Sequence, residues 1–238
     1  MGGLVESVTR RRFVWLAALG AGTVALGGCE SGPREQAPSA TVFDAPAEGA
    51  GASDDNGGDS AAAEAEAALM ARVEAMTLEQ KVAQLFVVAP EALVEGVSQV
   101  TQAGDATHEG VRTWPVGGIV YFAANLVDPD QVTAMLANVR QFYADDSNVA
   151  PFLAVDEEGG TVVRVADNEA FGVQDVGDAS ALGAAGDEAA AKSAAEQIAA
   201  YLKPLGFNLD FAPVCDVVDP LRSDTMGLRS FSSDANVC

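Results

Sequence analysis

The sequence predicts an α/β protein built on a parallel sheet, and three observations carry that reading. Strand-length apolar runs are continuous rather than alternating, as in strands buried on both faces. Helix-spaced patterns lie between them, so strand and helix alternate along the chain. Two of the runs pass at once into charge, at Asp156 and Asp216, and polar residues gathered at strand ends mark the face on which barrel enzymes build their sites. Two architectures fit, an open doubly wound sheet and a closed (β/α)8 barrel. No Gly-x-Gly-x-x-Gly follows a strand, which weighs against a dinucleotide fold. Residues 61–238 carry about four strands, whereas a barrel needs eight and typically about 250 residues.

The first element is a segment to be removed. Thr9-Arg10-Arg11-Arg12-Phe13-Val14 sets a cationic cluster before an apolar run over 13–26, which closes on Leu26-Gly27-Gly28-Cys29. That order is a signal peptide's. The run is shorter than the roughly 20 apolar residues a membrane-spanning helix needs. The pattern resembles bacterial lipoprotein precursors with a twin-arginine motif, and a general secretory signal with extra arginines has nearly the same form. The resemblance implies that residues 1–28 are cleaved, that Cys29 is lipidated, and that the protein is exported and membrane-anchored in the cell envelope.

Residues 29–60 are mostly Gly, Ala, Ser, Pro, Asp and Glu, with Val42 and Phe43 as the large apolar residues after the cysteine. Such a stretch cannot bury enough surface to offset the entropy of ordering, so a flexible tether is expected. Folded structure is expected over 61–238. An Ala/Glu-rich helix runs to about Met76, and Thr77-Leu78-Glu79-Gln80 has the spacing of a capping box. Leu85-Phe86-Val87-Val88 is the first short apolar run.

The other strand candidates are 116–122, 151–155 and 208–214. Between the first two, Asp128-Pro129 supplies an N-cap and a first-turn proline, and Val132, Met135, Leu136, Val139 and Phe142 recur at helical spacing. A further helix is expected from about Asp187 to Leu202, with Lys192 and Glu196 one turn apart on an outer face.

Composition narrows the partners. The chain has 13 Lys and Arg against 35 Asp and Glu, a formal charge of −22, which excludes nucleic acid because phosphate binding needs a basic patch. So much acid reads as a solvated, self-repelling surface. Besides Cys29 the cysteines are Cys215, in an apolar stretch and expected to be a buried thiol, and Cys238. They form neither a disulfide framework nor a metal-ligand spacing. His108, the one histidine, lies in a polar stretch and is expected on a loop.

The densest cluster of chemistry is Asp156-Glu157-Glu158-Gly159-Gly160-Thr161-Val162-Val163-Arg164. Three carboxylates at a buried strand's end repel one another unless paired or solvated. The Gly-Gly turn lets Arg164 fold back toward Asp156. One reading is a pocket in which carboxylate and guanidinium hold a polar, uncharged ligand. The other is a structural ion pair at a strand terminus, with Glu157 and Glu158 solvated.

Asp156-Glu157-Glu158-Gly159-Gly160-x-Val162-x-Arg164 stands in order with four further motifs. These are Met76-Thr77-Leu78-Glu79-Gln80-Lys81-Val82-x-Gln84-Leu85-Phe86, Gly117-Gly118-Ile119-Val120-Tyr121-Phe122, Leu205-Gly206-Phe207-Asn208-Leu209-Asp210-Phe211-Ala212-Pro213-Val214 and Gly227-Leu228-Arg229-Ser230-Phe231. Together they resemble the N-terminal domain of glycoside hydrolase family 3, in its β-N-acetylhexosaminidase branch. The resemblance implies a (β/α)8 TIM-type barrel of which about the first half is present. It implies that Asp156, Arg164 and Arg229 bind the terminal sugar, and that Asp210 and Asp216 are structural.

The implied activity is retaining hydrolysis of terminal, non-reducing β-linked N-acetylglucosamine-type residues from glycan or peptidoglycan fragments, without metal or organic cofactor. Retention needs a nucleophile and a proton donor. The family's Lys-His-Phe-Pro-Gly motif, Asp-His acid/base pair and nucleophilic aspartate are expected beyond residue 238, so no catalytic residue is assigned here and residues 1–238 alone are expected to be inactive. The alternatives are a β-glucosidase or β-xylosidase of the same family, or a non-catalytic lipoprotein that binds glycan or a partner.

Overall fold

The structure, a computed structural model, describes residues 58–146, 149–219, 223 and 225–238. The expected signal at 1–28, Cys29 and all but the last three residues of the expected tether lie outside the described residues. Helix α1 (Gly58–Ala75) begins three residues before Ala61, in a run of strong helix formers. Its side chains over 62–75 are all exposed. Helix α2 (Leu78–Ala83) starts from a complete capping box, in which Gln80 N donates to Thr77 Oγ1 at 3.2 Å and Thr77 N to Gln80 Oε1 at 3.0 Å. No helix among the described residues is long and apolar enough to cross a membrane.

Three β/α steps and a fourth strand follow: β1 (Val87–Val88), α3 (Asp105–Thr113), β2 (Gly118–Tyr121), α4 (Pro129–Asp146), β3 (Phe152–Val155), α5 (Ala179–Ala185), α6 (Glu188–Leu205) and β4 (Leu209–Asp210). All strands are parallel and neighbour one another in chain order. A doubly wound sheet reverses its strand order at a switch point. Sequential order without reversal is that of a (β/α)8 barrel, here four of its eight strands.

Register assigns the faces. Val88, Ile119 and Leu153 lie opposite one another on the side covered by helices, where Ile119 and Leu153 are fully buried against Val111 of α3, Val132, Leu136 and Val139 of α4, and Ile198 and Leu202 of α6. Truncating a buried leucine such as Leu136 to alanine costs about 2–5 kcal/mol. The other face carries Val87, Gly118 and Phe152 in register, with Val87 and Phe152 exposed. Gly118 is needed there: a Cβ would come within 2.7 Å of Phe152 Cβ.

His108 is not on a loop. It lies in α3, with its ring stacked on Phe142 of α4 at 4.3 Å and Nε2 at 2.7 Å from Asp146 Oδ2. The α3 face toward the core is made by Thr107, Gly110 and Val111, so close approach rather than an apolar stripe seats this helix. Helix α6 starts at its Asp187 N-cap and extends to Leu205, with Lys192 Nζ 3.6 Å from Glu196 Oε1 on the exposed side.

Candidate functional site

The end of β3 sorts its three acids by strand alternation. Asp156 and Glu158 face a pocket at the strand ends, and Glu157 faces the helices. Neither Glu157 nor Glu158 is solvated, contrary to the structural-ion-pair reading. Glu157 is 0% exposed. Its Oε2 accepts from the backbone N–H of Arg164 at 2.7 Å and of Val165 at 2.8 Å, and its Oε1 from Ala166 N at 2.9 Å and the Tyr201 hydroxyl of α6 at 2.9 Å. Burial, then the charge of Glu157, pushes the Tyr201 hydroxyl pKa well up, which keeps it a donor.

The chain between Glu158 and Arg164 is a tight turn. Glu158 N donates to Val162 O at 2.8 Å across Gly159 and Gly160, both at positive φ. Asp175 accepts from Gly160 N, and Asp178 accepts from the Thr161 amide and hydroxyl. The turn returns Arg164 to the pocket, where its Nη2 lies 3.3 Å from Asp156 Oδ2 and its guanidinium 5.9 Å from the Phe122 ring centroid. Arg164 Nε is shut off from solvent without a protein partner.

Arg229 arrives from the far end of the described chain. Its Nε and Nη2 donate to Glu158 at 2.8 and 2.7 Å, a two-point fork of the stronger, charge-assisted kind. The fork raises the pKa of Arg229 further. Ser230, fully buried, donates from Oγ to Asp216 O at 2.5 Å and so ties the Arg-Ser-Phe segment to the stretch after β4.

The three predicted residues therefore converge. Asp156, Arg164 and Arg229 line one cavity of about 520 Å³ with Glu158, Val162, Phe211, Val214, Cys215, Asp216 and Met226. Cys215 is exposed on its wall, not a buried thiol, because the strand has ended at Asp210. Asp210 itself accepts from Glu157 N at 2.9 Å, a structural bond. Burial raises its pKa from 3.8 to about 6; that bond opposes the rise, and the charges of Glu157, Asp156 and Glu158 add to it. Asp216 is exposed, and its charge helps to hold the Arg229 cation. A second cavity of about 600 Å³ lies on the alanine-rich side of α6 and shares Glu158 and Arg229, but its walls are mostly aliphatic.

Sequence reasoning missed Glu157 and Glu158 as the residues that hold Arg164 and Arg229. Their partners stand up to 44 and 71 positions away, and no local spacing encodes them. What the site offers is hydrogen bonding: carboxylate acceptors and guanidinium donors fixed around a space that fits a polar, uncharged ring.

Comparison with known proteins shows the family. Residues 77–238 match the glycosyl hydrolase family 3 N terminal domain, and the chain belongs to that family. It is 38% identical over 119 residues to a beta-hexosaminidase of Methylococcus capsulatus, covering 49% of this chain and 33% of that protein. It superposes with a TM-score of 0.59 on a family 3 beta-N-acetylglucosaminidase of Paenibacillus sp. FPU-7, at 36% identity over 68% of this chain and 29% of that one. With the beta-N-acetylhexosaminidase of Beutenbergia cavernae the TM-score is 0.55 at 27% identity, over 68% of this chain and 47% of that one. The chain spans about a third of the length of the curated relatives it matches.

Proposed function

We propose that the whole protein is a retaining β-N-acetylhexosaminidase that removes terminal, non-reducing N-acetylglucosamine-type residues from β-linked glycans, peptidoglycan fragments among them, and that Asp156, Arg164 and Arg229 hold the departing sugar. The observation that carries this reading is the convergence of those three residues on one polar cavity in a chain whose relatives are named beta-hexosaminidases. Asp156 accepts from sugar hydroxyls and Arg164 donates to them. Arg229 commits Nε and Nη2 to Glu158, while Nη1 makes only long contacts, to Thr225 O at 3.4 Å and Met226 Sδ at 3.6 Å, which a sugar hydroxyl can replace. A site built this way rejects ligands that lack the matching hydroxyls, because its polar groups are then left unpaired. The nucleophile and proton donor that retention requires come from chain beyond residue 238.

The same proposal places the enzyme outside the cytoplasm, held by lipidated Cys29, with the chain between Cys29 and helix α1 giving it reach to the cell-wall glycan. It rests on Thr9 to Cys29 as a sequence pattern. Metabolic labelling with a palmitate analogue tests it: wild type incorporates label, and Cys29→Ala does not.

The activity is tested by giving the complete protein 4-nitrophenyl N-acetyl-β-D-glucosaminide, β-D-glucoside and β-D-xyloside. Preferred cleavage of the first supports the reading. Preference for either of the others makes it a family 3 glycosidase of another branch, and cleavage of none leaves the glycan-binding alternative.

A further inference from the structure

We propose that Glu157 is the positioning residue of the sugar pocket: its buried carboxylate clamps the backbone amides of residues 164–166 and thereby aims Arg164 at Asp156, with Tyr201 holding the clamp against α6. The inference rests on the sugar-binding reading above and names a residue and a partner helix to which no role in binding has so far been given.

Arg164 does not place itself. Its one ion-pair distance, to Asp156, is 3.3 Å, and its Nε is buried without a protein partner. An unmet buried donor is a cost and not an anchor, so something else must fix the guanidinium, and the backbone that carries it is what is held. Three successive N–H groups converge on one carboxylate. The fourth donor, Tyr201, is 37 residues beyond Arg164 in the chain and sits on the helix that covers the sheet. These four donors fill the acceptor sites of the carboxylate, which is how a carboxylate is kept in a fully buried place. Glu157 N in turn donates to Asp210, so β3, β4, α6 and the return of the turn all meet at this residue. Arginine preorganised in this manner loses little freedom when the sugar binds.

The side chains also predict which replacements are tolerated. In Glu157→Gln the amide oxygen still accepts from residues 164 and 165, and its NH2 can donate to Tyr201 if that hydroxyl turns to accept. One bond, from Ala166 N, is lost. Glu157→Leu loses all four.

The test is a kinetic cycle on the complete protein with the aryl N-acetylglucosaminide. Tyr201→Phe raises KM by about 3- to 10-fold, the effect of one hydrogen bond, and Glu157→Gln by no more. Folded Glu157→Leu raises KM well beyond both. In an Arg164→Ala background none of these substitutions changes KM further, because they act through Arg164. If Tyr201→Phe leaves KM unchanged, or raises it equally with and without Arg164, the inference is overturned. A lower melting temperature with unchanged KM has the same meaning.

Should the wild type cleave no aryl glycoside, the sugar reading fails, and the clamp is still read by NMR. The amide protons of Arg164, Val165 and Ala166 then stand downfield and Ala166 moves upfield in Glu157→Gln. No movement would overturn the clamp itself.

Discussion

Glu158 and Arg229, 71 positions apart, meet through two hydrogen bonds of 2.7 and 2.8 Å, and that fork closes the pocket begun at Asp156. It joins the end of β3 to the short helical turn Gly227–Arg229, so the site forms only when the segment after β4 has folded back. The glutamate side chain is 8% exposed and the arginine 23%, and this asymmetry gives a first prediction. Arg229→Ala strands the more deeply buried charge and is expected to destabilise by about 2–4 kcal/mol, more than Glu158→Ala, since breaking a buried pair leaves one ion uncompensated. Chemical denaturation of both variants and of the double variant measures the difference.

The Gly-Gly turn gives a second. Gly160 has φ +58°, and a Cβ there would lie 2.2 Å from Asp178 Oδ1, whereas Gly172 has φ +62° with nothing within 4 Å. Both alanine variants bear the left-handed backbone cost of about 1 kcal/mol. Gly160→Ala adds the loss of the Asp178 bonds to Thr161, so it is expected to cost about 2 kcal/mol or more in total. It also raises KM, and Gly172→Ala does not. Equal losses in the two variants would remove Asp178 from the account.

Asp210 gives a pH dependence. Its folded-state pKa, about 6, lies above the ordinary 3.8, so folding favours the protonated form. The stability this carboxyl contributes is fully present below about pH 4 and is lost as pH rises through 6. Asp210→Asn keeps an oxygen for Glu157 N and cannot ionise. Its Tm relative to wild type is therefore expected to rise between pH 4 and 6, which scanning calorimetry at steps across that range measures. A difference that is flat with pH would contradict the burial of this group.

Much of this was legible in the sequence, and what was not has physical causes. The apolar runs at 118–121 and 152–155 became strands because continuous apolarity fits a sheet with both faces covered. Asp128-Pro129 and the Val132–Val139 spacing marked α4, whose Gln131 N is capped by Asp128 Oδ1 at 2.8 Å. Helix α3 escaped because its buried face, Thr107, Gly110 and Val111, is made of small residues in a short and mostly polar segment, and a Cβ on Gly110 would come within 2.2 Å of Leu93 O. Helix α5, seven residues of Ala, Ser, Leu and Gly, is equally silent. The carboxylates of the 156–158 run look alike in sequence, and only the fold separates the pocket's Asp156 from the clamp at Glu157 and the fork at Glu158.

A crystal structure of the complete protein with N-acetylglucosamine would show whether Asp156, Arg164 and Arg229 hold the sugar. The sugar is expected in the cavity of Asp156, Arg164 and Arg229, with ring hydroxyls about 2.6–3.2 Å from the Asp156 carboxylate and the Arg164 guanidinium. A sugar bound elsewhere, with Asp156 and Arg164 still paired only to each other, would contradict it.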